Sequence, residues 1–159
     1  DSGHPLVIPM FFWKKTFYKK FIEQRKTGFP LLIFVAEIDF GQDFAKNLQE
    51  KFQKERMAFV ASTTKSRKTI VEAFRKKQVS ILITTSILER GVTFSSIDVF
   101  VINSEHPNFT KSALIQMVGR VGRDSKRPTG LVSFFHSGKS LAMCQAQKEI
   151  KKMNQLGGF

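Results

Sequence analysis

This chain has almost no cysteine. Cys144 is the single one in 159 residues, which excludes an internal disulfide and a Cys-rich zinc site. Such usage fits a reducing, cytoplasmic compartment. Histidine is scarce too. His4, His106 and His136 are scattered, with no carboxylate at metal-ligand spacing, so each is expected to be structural or solvated. No apolar run reaches the roughly 18–20 residues of a membrane span. Residues 1–20 lack the order of a signal peptide, because their basic residues follow their apolar ones. Acid is also in short supply: 13 Asp and Glu against 26 Lys and Arg leave a net charge of +13. That surplus favours a polyanion as partner, nucleic acid first, through phosphate neutralisation and counterion release. General solubility, or an acidic segment outside this chain, are the other readings of the same charge. Tyrosine and tryptophan occur once each beside seventeen Phe, an imbalance that composition connects to no activity. The hydrophobic fraction of 42% suffices for a real core, and the length predicts one domain.

What is present is an alternation of short apolar runs and helical periodicity. Leu31–Val35 is a continuous apolar run, as a strand buried on both faces would be. Phe44, Ala45, Leu48 and Phe52 then repeat at helical spacing. Strands are predicted at 57–61, 79–83, 99–102 and 130–135, with helices over 66–77, 110–122 and 139–153. Strand–helix alternation without hairpin signals predicts an α/β layered fold with a mostly parallel sheet. Ligands in such folds sit at the carboxyl ends of strands. Residues 1–28 do not read as part of this core. Pro5 and Pro9 break regularity, and Phe11, Phe12, Trp13, Phe17 and Phe21 interleave with Lys14, Lys15, Lys19 and Lys20. An aromatic, basic surface could stack bases. The preferred reading is an amphipathic helix that packs Phe17 and Phe21 on its own domain or a preceding one.

Three stretches carry candidate chemistry. In Gln116-Met117-Val118-Gly119-Arg120-Val121-Gly122-Arg123, two arginines sit three apart, each after a glycine. On a helix such positions share a face. Gly119 and Gly122 remove bulk beside them, at about 1 kcal/mol each in helix stability. Two guanidiniums aimed one way suit a phosphate, although a wet basic face is the plain alternative. Thr84-Thr85-Ser86, at a strand end, can offer hydroxyl and backbone donors to a phosphate, or can cap a helix. Ser62-Thr63-Thr64-Lys65 is a similar cluster after the preceding strand.

Taken in order, Ile-Leu-Ile-Thr-Thr-x-x-x-Glu-Arg-Gly, a further strand and Gln-x-x-Gly-Arg-x-Gly-Arg resemble the second RecA-like domain of a superfamily 2 helicase or translocase. Residues 31–36 resemble motif IV, 83–94 motif V and 116–123 motif VI. The chain is further similar to the ComFA family of competence DNA-uptake ATPases. Thr-Thr-Ser-Ile-Leu-Glu-Arg-Gly-Val-Thr-Phe, Phe-Phe-His-Ser-Gly-Lys and Lys-Met-Asn-Gln-Leu carry that likeness. Primosomal and RecG-type helicases are the alternatives within the superfamily, and a non-enzymatic basic nucleic-acid-binding module is the alternative outside it.

The resemblance implies a RecA-like three-layer αβα domain of the P-loop NTPase type over residues 29–159, with residues 1–28 as connector to a first motor domain. By the same resemblance, Arg120 and Arg123 are arginine fingers on the γ-phosphate of ATP. Gln116 and Gly119 lie beside the nucleotide, and Gly91 and Thr93 link it to the DNA contact. Thr84, Thr85 and Ser86, with Ser62, Thr63 and Lys65, hold the backbone of single-stranded DNA. Relatives carry Asp where this chain has Thr93, and many DEAD-box relatives carry Arg where it has Met117. ATP with Mg²⁺ is expected to bind mainly to the first domain, and none to this chain alone. No strand here ends in Asp-Glu, and no Walker A loop is evident. Gly138-Lys139-Ser140 imitates one, but the leading position is Ser133, and Phe134, Phe135 and His136 fill the loop. A strand-to-helix turn is the expected reading, and the chain alone is expected not to hydrolyse ATP. Implied partners are the first RecA-like domain and competence DNA-uptake proteins at a membrane channel. The implied location is cytoplasmic, including the inner face of the membrane.

Overall fold

The apolar run Leu31–Phe34 becomes the middle of a sheet, and every side chain in it is buried. In the computed structural model, the described residues are 6–9, 13–85, 96–119, 130–136 and 141–156. The strands are β1 (Leu6–Pro9), β2 (Leu31–Phe34), β3 (Met57–Val60), β4 (Ile81–Thr84), β5 (Asp98–Ile102) and β6 (Val132–His136). The helices are α1 (Trp13–Lys26), α2 (Ile38–Lys51), α3 (Arg67–Arg75), α4 (Lys111–Val118) and α5 (Leu141–Leu156).

The six strands lie in the order β1-β6-β5-β2-β4-β3, and all the described pairings are parallel. Strand residues alternate between two faces, and each face has its own core. Leu32, Phe34, Leu82, Val99, Val101 and Phe134 face α3, α4 and α5, which bring Phe74, Leu114, Met117, Met143 and Ala146. Leu31, Ile33, Ile83, Phe100 and Phe135 face α1 and α2, which bring Phe17, Phe21, Phe44 and Leu48. Helices on both faces of a parallel sheet give the three-layer αβα architecture expected from the sequence. Most of the phenylalanines fill these two cores, so their abundance reflects packing.

The segment 1–28, expected as a connector, contributes β1 and α1 to the domain itself. β1 pairs with β6 from Leu6↔Ser133 to Pro9↔His136. Pro9 counted against a strand, yet β1 is an edge strand, where a missing N–H is tolerated. Phe17 and Phe21 are fully buried against the sheet of this same domain. Their spacing of four puts both on the inner face of α1.

Other boundaries moved by a few residues. α2 starts at Ile38, ahead of the Phe44 where apolar spacing begins, because Asp39 and Gly41 occupy its first turns. Gly41 is required there: a Cβ would stand 2.5 Å from Phe59 Cε1 and 2.7 Å from Val35 Cγ2. β4 runs over Ile81–Thr84, so Thr84 closes the strand and is buried. The described part of α4 ends at Val118 with Gly119 as its cap.

Candidate nucleic-acid and nucleotide-facing edge

Parallel strands bring their carboxyl ends to one edge, and the register decides which loops meet there. Val60 pairs with Thr84, and Thr84 pairs with Phe34. The loop after β3 therefore leaves the sheet beside Thr85. This juxtaposes Ser62, Thr63 and Lys65 with Thr85, although they lie about twenty residues apart along the chain. Ser62, Thr63 and Lys65 are exposed, and Thr85 is half-buried. Thr64 explains why its neighbours point outward. Its hydroxyl accepts from the Ala61 amide at 2.8 Å, and its own amide donates to the Ala61 carbonyl at 3.0 Å. That turn leads into α3 at Ser66, whose side chain makes no capping bond. The hydroxyl cluster thus builds a turn at Thr64 and leaves Ser62 and Thr63 open to solvent.

Thr84 differs from its neighbours. Its side chain lies in the core row with Val60, Phe34 and Val101, and its carbonyl accepts from Val35 N at 3.0 Å. Thr85 is the described hydroxyl of this pair that reaches the surface. Ser86, Gly91 and Thr93 lie outside the described residues.

α4 carries the other candidates. Thr110 caps it, accepting from Ala113 N at 3.1 Å. Leu114, Met117 and Val118 turn inward, which leaves Gln116 exposed on the opposite side. Gln116 Nε2 reaches Ser112 Oγ at 3.4 Å, a long contact that leaves its amide available. Gly119 is exposed, with φ −64, and caps the helix through its N–H to Ile115 O at 3.0 Å. Arg120 and Arg123 follow directly and lie outside the described residues.

The loop feeding α4 is tied to the loop after β2, a link that the sequence reading missed. β2 and β5 are neighbours whose connections run to opposite sides of the sheet, which makes their carboxyl ends a topological switch point. Across it, Asn108 Nδ2 donates to Ala36 O at 3.0 Å. His106 Nε2 donates to Glu37 Oε1 at 2.8 Å, while its Nδ1 accepts from Asn108 N at 3.1 Å. The amide at Nδ1 fixes the tautomer and places the ring hydrogen on Nε2. Below them, Ser104 N donates to Phe135 O at 2.9 Å, and Phe109 is buried. The start of α4 is therefore pinned to β2 and β6 together.

Gly138-Lys139-Ser140, the imitation Walker loop, lies outside the described residues, and its flanks are placed. Ser133, Phe134 and Phe135 are fully buried strand residues, and α5 begins at Leu141. Buried phenylalanines hold the positions where backbone amides would have to approach phosphate. Among the described residues no group of His, Cys, Asp or Glu is placed to hold a metal ion, and no described helix is long and apolar enough to cross a membrane.

Comparison with known proteins agrees with this architecture. The family described as "Helicase conserved C-terminal domain" matches residues 13–125. The chain is 48% identical to competence protein ComFA of Streptococcus pneumoniae, over 99% of this chain and 39% of that protein. It is 37% identical to competence protein ComFA of Bacillus subtilis, over 96% of this chain and 35% of that protein. The chain thus spans well under half the length of these relatives. Among solved structures, domain 2 of the DEAD-box helicase Mss116p bound to an RNA duplex superposes with a TM-score of 0.67 at 22% identity, covering 84% of this chain and 54% of that one. The C-terminal domain of the DEAD-box protein Dbp5 gives 0.62 at 20% identity, covering 98% and 86%. These likenesses establish the fold. With its family match over most of the length and its RecA-like sheet, the chain belongs to the helicase C-terminal domain family.

Proposed function

We propose that this chain is the C-terminal motor domain of an ATP-dependent translocase that drives single-stranded DNA uptake in competence. The observation that carries the reading is the 48% identity to a competence protein over 99% of this chain. The exposed cluster of Ser62, Thr63 and Lys65 beside Thr85 supports it physically, since hydroxyl, amide and ammonium donors on one edge suit a phosphodiester backbone. Such contacts carry little sequence information, so binding is sequence-tolerant and weakens steeply with salt.

ATP with Mg²⁺ is the cofactor of this proposal, bound chiefly by a first RecA-like domain. The exposed Gln116 amide and the open surface at Gly119 fit a neighbouring nucleotide. Arg120 and Arg123, just beyond the α4 cap, would stabilise charge on the transferring γ-phosphate. Thr85, with Gly91 and Thr93 on its loop, would couple the DNA contact to the nucleotide. Ser86 completes that contact, while Thr84 stays in the core as the strand end that positions Thr85. The proposed partners are the first domain and DNA-uptake proteins at the cytoplasmic face of the membrane. Within this reading the chain alone does not turn over ATP.

The test is ATP hydrolysis by the full-length protein, with and without single-stranded DNA. Stimulation by DNA, and a loss on the order of 10³-fold in turnover for Arg123→Ala, are expected. Near wild-type turnover of that variant would remove its role. Stimulation by RNA but not DNA would move the reading to the RNA helicases of the same family.

A further inference from the structure

The opposite edge of the sheet carries a second cluster of charge. Arg56 directly precedes β3, and Ser80 directly precedes β4, so both stand at amino ends of strands. A cavity of about 230 Å³ opens there, lined by Arg25, Lys54, Glu55, Arg56, Lys77 and Ser80 among others. Its walls are fixed by hydrogen bonds. Arg56 Nη2 donates to Lys77 O at 3.2 Å, and the amides of Ser80 and Ile81 donate to Arg56 O at 2.9 and 3.2 Å. Lys77 and Gly28, on opposite sides, both hold left-handed backbone at φ 65 and 77. They reverse the chain just after α3 and α1.

Four cations meet one carboxylate in this cavity, and that carboxylate is already engaged. Glu55 Oε2 lies 3.1 Å from Arg25 Nε, close enough for ionic attraction although the alignment is poor for a hydrogen bond. The same oxygen accepts from Ser80 Oγ at 3.2 Å. Lys54, Arg56 and Lys77 form no ion pair among the described residues. A plain explanation is that cations offset helix dipoles, since α1, α2 and α3 all end near this edge. Each carboxyl-terminal dipole counts as about −0.5 charge. Three of them, with Glu55, leave a surplus of about +1.5 from the four cations, so dipole compensation does not account for the whole cluster.

We propose that this cavity binds a short phosphate oligoanion, at a site separate from the Thr85 edge. Phosphoryl oxygens match guanidinium and ammonium donors arranged around a half-open cavity. The volume falls below the roughly 300–1,000 Å³ of pockets for drug-sized ligands, and among the described residues no aromatic side chain lines it to stack a base. One to three linked phosphoryl groups fit these limits better than a nucleoside. The source is a free polyphosphate or a phosphodiester backbone.

The experiment is an amide NMR titration of the 159-residue chain with inorganic tripolyphosphate. Saturable shifts at Gly28, Lys77 and Ser80 are expected. The double substitution Lys54→Glu/Lys77→Glu should weaken binding on the order of tenfold or more, because both side chains are exposed and lose attraction for repulsion. A melting curve of the variant checks that it folds, and Arg56→Gln provides a second, milder test. Displacement of tripolyphosphate by an oligothymidylate assigns the site to a nucleic-acid backbone, and failure to displace it assigns a free polyphosphate. Either result keeps the site. Shifts that never saturate, or that spread evenly to Lys65 and the other lysines, mean an adventitious ion only and overturn the proposal. Binding unchanged in the double variant overturns it equally.

Discussion

Replacing Phe17 with alanine tests whether the amino-terminal segment is part of this domain or a linker lying on it. Phe17 is fully buried at the centre of an aromatic cluster. Its ring centroid lies 5.3 Å from Phe44, 5.4 Å from Phe135, 5.7 Å from Phe21 and 6.1 Å from Phe100. These partners come from α1, α2, β5 and β6, so one side chain joins four elements. Truncating a buried Phe to Ala costs about 3–5 kcal/mol. Edge-to-face pairs add about 0.5–1.5 kcal/mol beyond area burial, which favours the upper half of that range. A chain of this length loses roughly 2–4 °C in Tm per kcal/mol, so Phe17→Ala should melt on the order of 10 °C lower. Urea unfolding followed by circular dichroism measures the same loss. Ile22, on the same helix but 43% exposed, is the control, and Ile22→Ala should change stability by less than about 1 kcal/mol. If Phe17→Ala also costs less than about 1 kcal/mol, the segment is a docked linker and the reasoning fails.

Asp98→Ala should destabilise by about 2–4 kcal/mol in urea unfolding, because the buried side chain accepts from Gln24 Nε2 at 2.9 Å and Leu131 N at 2.7 Å, and its loss removes both bonds although Gln24 Nε2 keeps its bond to Phe29 O. Gly41→Ala should cost about 1–3 kcal/mol, since its Cβ would press on Phe59 and Val35. Gly119→Ala should leave the melting curve within about 1 kcal/mol of wild type, because φ is −64 and the nearest atom to a Cβ is 3.4 Å away. The carboxyl of Glu72 should titrate below the ordinary glutamate value, chiefly through its hydrogen bond from Arg75, and Arg75→Gln should bring it back up. What this pair contributes is present above the unfolded-state pKa and is lost as pH falls through the lower, folded one; carboxyl-carbon NMR follows it.

The interior strands were legible because burial on both faces writes an unmistakable signal: Leu31–Phe34 has no polar residue to confuse it. β1 was not legible. It is four residues long, contains Pro9 and lies at an edge, where the rule against proline in strands does not hold. The loops at one edge could be found from the sequence, but the pairing of Ser62–Lys65 with Thr85 needed the Val60↔Thr84 register. Nor does local pattern reveal the clamp from His106 and Asn108 to Glu37 and Ala36, because its partners lie about seventy residues apart. The amino-edge cavity was invisible for the same reason. Its cations come from three separate chain reversals, and no stretch of sequence contains them together.

Gly119 shows how fold and function come apart within one motif. Glycine was expected there because it removes bulk beside Arg120. Among the described residues nothing presses on that space: the backbone is right-handed, the residue is exposed, and a methyl group would meet the helix's own carbonyls at 3.4 and 3.5 Å. Gly41 is the opposite case, where the domain's own packing leaves no space. A glycine that the described packing does not need, directly before Arg120, is expected to matter to whatever approaches from outside. Stability and activity should therefore separate at this residue. A Gly119→Ala chain that melts normally but weakens DNA-stimulated ATP turnover in the full-length protein places the approaching group at the nucleotide cleft. Normal turnover in the same variant would return residue 119 to the role of an ordinary helix end.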